Sequence, residues 1–243
     1  MKKILIVGNS PLLNEIVKIR SAAGLRTYQF LKGIAENVSD VSLKVVTIAM
    51  PNCYQGEIME REFEALPGVL CYSISKNDAN LSQKIQKFHD EFRPDVVVAV
   101  NTYPCYLASR LRSSAILWCD LNGWIMAEAQ AQAYKMDTND YLSHYFEMEQ
   151  CVLGRADKFS SVSERQKLAI LGELACLGRL NKETFGHEFV ETIPNGVESE
   201  EERDFVGSSE NLEKLRGLVN DNFILLWMGG YNTWVDEVTL YKG

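Results

Sequence analysis

Lys3-Ile-Leu-Ile-Val-Gly8 is a short aliphatic run that ends on a glycine, with Asn9 directly behind it. It is too short for the apolar core of a signal peptide, so it reads as a first strand. Working outward, further strands are expected over 43–49, 69–74, 95–100, 115–119, 158–162 and 189–193. The intervening segments carry helical patterns: Tyr28, Leu31, Ala35 and Val38 after Leu25, then 81–92, 106–112, a long region over 124–155, and a helix toward Leu180. Ser163-Glu-Arg-Gln166 is a capping-box pattern opening that last helix, and Pro194-Asn-Gly196 is a turn signal closing the last strand. Strand and helix alternate, which predicts an α/β fold: a doubly wound, mostly parallel sheet with helices on both faces.

In such sheets ligands collect beyond the carboxyl ends of the strands. That rule selects Gly8 and Asn9, Asn101 to Tyr103, Asp120 to Gly123, Ser163 and Asn195 as candidate positions. The stretch from Asn9 to Gly24 is long for a strand-to-helix connector, and two readings stand side by side: an inserted helical turn over 12–19, or direct contact with a ligand. Trp118, Trp124, Tyr103 and Tyr106 lie near these ends and could stack on a ligand, although packing is the commoner use of such residues.

The chain has 243 residues, 46% of them hydrophobic, which is ample material for a core. Its net charge of −8, without basic runs interleaved with aromatics, disfavours nucleic acid as a partner. Six cysteines are scattered without a Cys-x-x-Cys pair and fit a reduced, cytoplasmic setting. No stretch approaches the ~18 apolar residues of a membrane span, so any membrane association would be peripheral, at the inner face. The glycine pattern of dinucleotide-binding enzymes is missing after the first strand, as are a Gly-Lys-Ser/Thr phosphate loop, a Gly-x-Ser-x-Gly elbow and a His-Glu-x-x-His zinc pattern. His89, His144 and His187 share no metal-ligand spacing and read as surface or packing residues. No Asp-x-Asp pair is present to hold a divalent ion against a diphosphate, so no metal site and no cofactor are expected.

Toward the C-terminus, Glu198, Glu200, Glu201, Glu202 and Asp204 crowd ahead of Gly207, a linker composition. Phe223-Ile-Leu-Leu-Trp-Met-Gly-Gly230 then reads as a buried strand meeting a tight turn, with Thr233 and Asp236 as a capping box. Seven residues follow Asp236, too few to build a core around that strand. The expected organisation is a Rossmann-like domain over 1–197, an acidic linker and helix over 198–221, and over 222–243 the opening of an incomplete second domain.

Gly24-Leu-Arg26 before the first helix, Val162-Ser-Glu-Arg-Gln-Lys167, Ile193-Pro-Asn-Gly-Val197 and Gly229-Gly-Tyr-Asn-Thr-Trp234 occur in an order that resembles glycosyltransferases of the GT-B fold, family 4 type. The resemblance covers their N-terminal half and the first strand of the C-terminal half. It implies hexosyl transfer, as in polysaccharide biosynthesis, from a nucleotide-sugar donor to a saccharide or lipid-linked acceptor, with retention and without a metal. It also implies that Gly24, Gly229 and Gly230 admit a diphosphate to backbone N–H groups, with Asn232 and Thr233 beside them on the donor side. Arg26, Asn101, Tyr103, Asn122, Ser163 and Asn195 fall on the acceptor side. Where such enzymes often carry a histidine near the reacting sugar, this chain has Asp120, which becomes the candidate for the reaction centre; a capping aspartate is the equally weighted alternative. On this reading Asp120→Ala leaves folding intact and lowers transfer. The family's donor-binding acidic motif lies beyond this chain, which alone is expected to be inactive. The competing readings are a non-catalytic or split-enzyme binding module and a nucleotide-sugar epimerase.

Overall fold

The computed structural model describes residues 1–17, 19–54, 60–196 and 236–242. It divides into two compact units, Met1–Asn195 and Gly196–Gly243. The first unit is built on one eight-stranded sheet. In chain order its elements are β1 (Lys2–Ser10), α1 (Ala22–Asn37), β2 (Val41–Ala49), β3 (Arg61–Leu66), β4 (Val69–Ser75), α2 (Leu81–Phe92), β5 (Val96–Val100), α3 (Thr102–Ser109), β6 (Ile116–Leu121), α4 (Ile125–Met136), α5 (Leu142–Arg155), β7 (Lys158–Ser161), α6 (Glu164–Cys176) and β8 (Val190–Thr192).

The strand order is β3-β4-β2-β1-β5-β6-β7-β8, and every pairing is parallel except β3 with β4. From β1 the winding goes one way through β2 and β4 and the other way through β5 to β8, so the topological switch point lies between β1 and β5. The central strands are aliphatic runs because both their faces are covered. Leu5, Val7, Val97 and Ala99 face the cluster formed with α2, α3, α5 and α6, whereas Ile6, Val98 and Val100 face Phe30 and Leu31 of α1. Both sheet edges are shielded by geometry: β8 is only three residues long, and β3 runs antiparallel with a register shift between Glu64 and Leu66.

Four local expectations are revised. β3 has no counterpart in the sequence reading, since Glu62 and Glu64 interrupt its apolar pattern. The region 124–155 is two helices, separated where Asp137 ends α4 in the left-handed conformation at φ 51°. The loop after β1 contains no helical turn among its described residues; it folds around the buried Glu15 carboxylate, which accepts from Leu12 N at 2.8 Å, from the Tyr54 hydroxyl at 2.8 Å and from Arg61. The Ser163 box is only half formed: Ser163 Oγ accepts from Gln166 N at 3.3 Å, but Gln166 Oε1 reaches past Ser163 to Val162 N at 3.1 Å.

In the second unit the described helix Glu237–Lys242 is capped by Asp236, which accepts from Thr239 N at 2.9 Å; Thr233 and the 223–230 strand lie outside the described residues. No helix among the described residues is long and apolar enough to cross a membrane.

The entry of α1 is unusually close to the sheet. A Cβ at Gly24 would stand 1.9 Å from the Pro11 carbonyl oxygen, and one at Gly8 would stand 2.2 Å from Thr27 Cγ2. Gly33, further along α1, faces open space. We expect Gly24→Ala to lower stability by about 1–3 kcal/mol or more, because the obstacle is backbone. Gly33→Ala, in contrast, should gain up to about 1 kcal/mol by removing a flexible residue from a helix interior. Paired thermal melts of the two variants check this, and equal melting temperatures would contradict the close approach.

Candidate functional site

The carboxyl edge of the sheet is organised around two polar clusters and one exposed aromatic. The first cluster marks the switch point. Asn101, directly after β5, has φ 75° and ψ 158°, a conformation nearly reserved for glycine. Its side chain is fixed by donating Nδ2 to Asn9 Oδ1 at 3.2 Å and to the Ala23 carbonyl at 2.9 Å, while its backbone N–H donates to Asp120 O at 3.0 Å. Asn9 N donates in turn to Thr27 Oγ1 at 2.9 Å. The ends of β1, β5 and β6 are thereby tied to the first turns of α1.

The second cluster is a buried ion pair. Asp120, on the α1 face of β6, is 0% exposed, and Arg26, in the second turn of α1, is 3% exposed. The contact is bidentate, Nε to Oδ2 at 3.0 Å and Nη2 to Oδ1 at 2.9 Å. Ser160 Oγ, opposite Asp120 on β7, donates to Oδ1 at 2.6 Å and accepts from Trp118 Nε1 at 3.1 Å. The rest of the guanidinium donates to the Ile193 carbonyl at 2.7 Å and the Pro194 carbonyl at 2.8 Å. Arg26 also lies over the Phe30 ring, which meets Trp118 edge-on. Asp120 therefore sits beneath the edge surface with both oxygens engaged.

The aromatic is Trp124, just past β6 and 44% exposed. Its Nε1 donates to Glu173 Oε1 at 2.7 Å. Among the described residues, the buried side-chain polar atoms without a hydrogen-bond partner are Asn122 Oδ1, two residues before Trp124 in the chain, and Glu173 Oε2, on the carboxyl that Trp124 meets. Glu149 of α5 completes the group: it is 7% exposed, and burial followed by the neighbouring Glu173 charge pushes its carboxyl up to about 8. Burial also raises Glu173, with the Trp124 hydrogen bond opposing. No set of three or more potential metal ligands gathers among the described residues.

The structure separates the other residues singled out above. Tyr103 and Tyr106 pack against the core beneath α3, and Trp118 packs on the α1 face. Ser163 caps α6. Asn195 is exposed after the strand that Arg26 holds. The bare Cα of Gly24 is turned to Pro11, and its N–H meets Ser21 Oγ at 3.4 Å. Gly229, Gly230, Asn232 and Thr233 lie outside the described residues. His89 is buried between Asp90 and Ser113, while His187 bonds the Asp157 carbonyl and meets Phe189 edge-on. Sequence reasoning missed Glu149, Glu173, Ser160 and Thr27. The available signal for Glu149 was a carboxylate beside Met148 and one turn from Val152 and Leu153, on the apolar face of α5.

No protein-family profile and no curated protein sequence matches the chain. Among solved structures, it is similar to sucrose-phosphate synthase from Thermosynechococcus elongatus, with 13% identity and a TM-score of 0.53 over 81% of this chain and 49% of that one. It is also similar to trehalose-6-phosphate synthase from a study of glycosyl transfer with retention, with 13% identity and a TM-score of 0.50 over 80% and 49%. The chain spans about half the length of these solved structures. Both are GT-B glycosyltransferases, and the first unit has the Rossmann-like architecture of a GT-B domain.

Two predictions follow the geometry. Asp120→Ala leaves the Arg26 guanidinium buried and uncompensated, which should cost about 3–5 kcal/mol. This revises the expectation that folding survives the change untouched. Denaturant melts, with hydrogen exchange reporting loosening of β8, check it; Asp120→Ala with wild-type stability would contradict the pair. For Glu149, a folded-state carboxyl raised to about 8 from 4.5 binds a proton that the unfolded chain has lost. Stability is therefore unaffected at acid pH and falls as pH rises between those values. Glu149→Gln should raise the melting temperature clearly at pH 8 and little at pH 4.5; an equal gain at both would refute the desolvation.

Proposed function

We propose that the unit Met1–Asn195 is the acceptor-side half of a glycosyltransferase of the GT-B type, belonging to family 4 and moving a hexosyl group from a nucleotide sugar to a saccharide acceptor. The observation that carries this is Trp124: an exposed indole at the carboxyl edge of the sheet, its Nε1 fixed by Glu173. A sugar ring offers an apolar face to an exposed aromatic side chain.

In this reading Arg26 and Asp120 are positioning residues. They fasten α1, β6, β7 and the end of β8 into one rigid support, and Asp120 takes no part in proton transfer. Asn101 and Asn9 tie the ends of β5 and β1 together at the switch point. The motif order Gly24-Leu-Arg26, Ser163 to Lys167, Ile193 to Val197 and Gly229 to Trp234 supports family 4 and, with it, retention, a metal-free mechanism and a donor side supplied by Gly229, Gly230, Asn232 and Thr233.

The test is to screen the natural gene product containing this chain against uridine-, guanosine- and adenosine-diphosphate sugars with saccharide acceptors, reading products by mass spectrometry. A new glycosidic linkage is expected. A sugar nucleotide altered without transfer would replace this reading with an epimerase, and no turnover with any donor would leave a binding module. Trp124→Ala should raise the KM for the acceptor about three- to tenfold with the melting temperature preserved, the loss of one aromatic contact.

A further inference from the structure

At the opposite, amino edge of the sheet a groove of about 970 Å³ runs between α2 and α3. Its lining includes Lys3, Lys87, Arg93, Arg110 and Arg112, five cations against the two carboxylates Asp90 and Glu91, on a chain whose net charge is −8. Most of these charges have an internal use. Lys3 Nζ donates to the Phe92 carbonyl at 3.1 Å, Lys87 lies 3.9 Å from Glu91, and Arg110 bonds the Tyr106 hydroxyl and lies 4.0 Å from Glu147. Asp90 is held below its usual range first by the His89 hydrogen bond, then by Gln86, with the Arg112 charge contributing less.

Arg93 is different. It ends α2 in the left-handed conformation at φ 52°, a place where glycine is favoured and a side chain costs about 1 kcal/mol. The helix end does not need its guanidinium: Arg93 N already meets the His89 carbonyl, and Lys3 takes the Phe92 carbonyl. No hydrogen bond or ion pair holds that guanidinium among the described residues, and it stands at the groove with Arg112.

We propose that this groove binds a small, multiply charged phosphorylated metabolite, gripped chiefly by Arg93 and Arg112 with Lys87 and Arg110 at its sides. Planar guanidinium groups suit bidentate contacts to phosphate oxygens, and the volume accommodates a ligand of nucleotide size.

The test uses tripolyphosphate as the probe, with calorimetry and phosphorus NMR on the full chain, sodium chloride at matched ionic strength as the control, and the double variant Arg93→Gly, Arg112→Gln. Glycine suits the left-handed position, so the variant retains the fold, which a thermal melt verifies. The expected result is saturable binding of tripolyphosphate, not reproduced by chloride and weakened at least about tenfold in the variant, two charge-assisted contacts being lost. Three results would each overturn the proposal: no binding, equal affinity in the variant, or association only with anionic phosphatidylglycerol vesicles while tripolyphosphate stays unbound.

Discussion

Arg26 is the constraint on which the carboxyl edge depends. Four of its contacts radiate from one planar group: two to Asp120 and one each to the carbonyls of Ile193 and Pro194. A lysine could supply charge at that point but not a fixed fork in which one side grips a carboxylate while the other meets two consecutive carbonyls. The partners lie 94 and about 168 residues away in sequence, so one side chain fastens the start, middle and end of the first unit.

That placement follows from simple local rules. Side chains alternate along β6, so Trp118 and Asp120 share the α1 face while Leu117 and Cys119 enter the opposite core. α1 must come close enough for Arg26 to reach Asp120, and glycine at positions 8 and 24 permits it. Thr27 then uses the gap left by Gly8, accepting from Asn9 N and donating to the Ala23 carbonyl at 2.9 Å. Small residues, a threonine and one arginine thus act as a single device for seating a helix on a sheet.

The central strands were legible in the sequence because they are buried on both faces and read as aliphatic runs, and with the alternation of strand and helix around them seven of the eight strands were expected. β3 was not, because an edge strand facing solvent carries glutamates and lacks that signal. The site was legible only in outline. The rule that ligands gather at strand ends picked Asn101, Asp120, Asn122 and Ser163, but it cannot tell which end residues look outward. Whether Asp120 is at the surface depends on Arg26 and Ser160, which approach from remote parts of the chain. The carboxyls of Glu149 and Glu173 were hidden for the same reason: a glutamate on a helix looks solvated until the neighbouring helices are in place.

A buried ion pair is weak evidence for net stability, since desolvating both charges offsets much of their attraction. Its better-attested use is to specify an arrangement, and here that arrangement is the exit of the chain from the sheet. β8 has three residues, pairs only with β7 among the described residues, and by itself is a marginal strand. The guanidinium takes the two carbonyls immediately beyond it and fixes the path of Ile193 and Pro194 against the same Asp120 that anchors α1. The position at which Asn195 emerges is therefore set by the interior of the first unit rather than by the strength of its last strand. For a chain whose motifs continue past that point, a defined exit matters more than the few kcal/mol an apolar replacement of the pair could add.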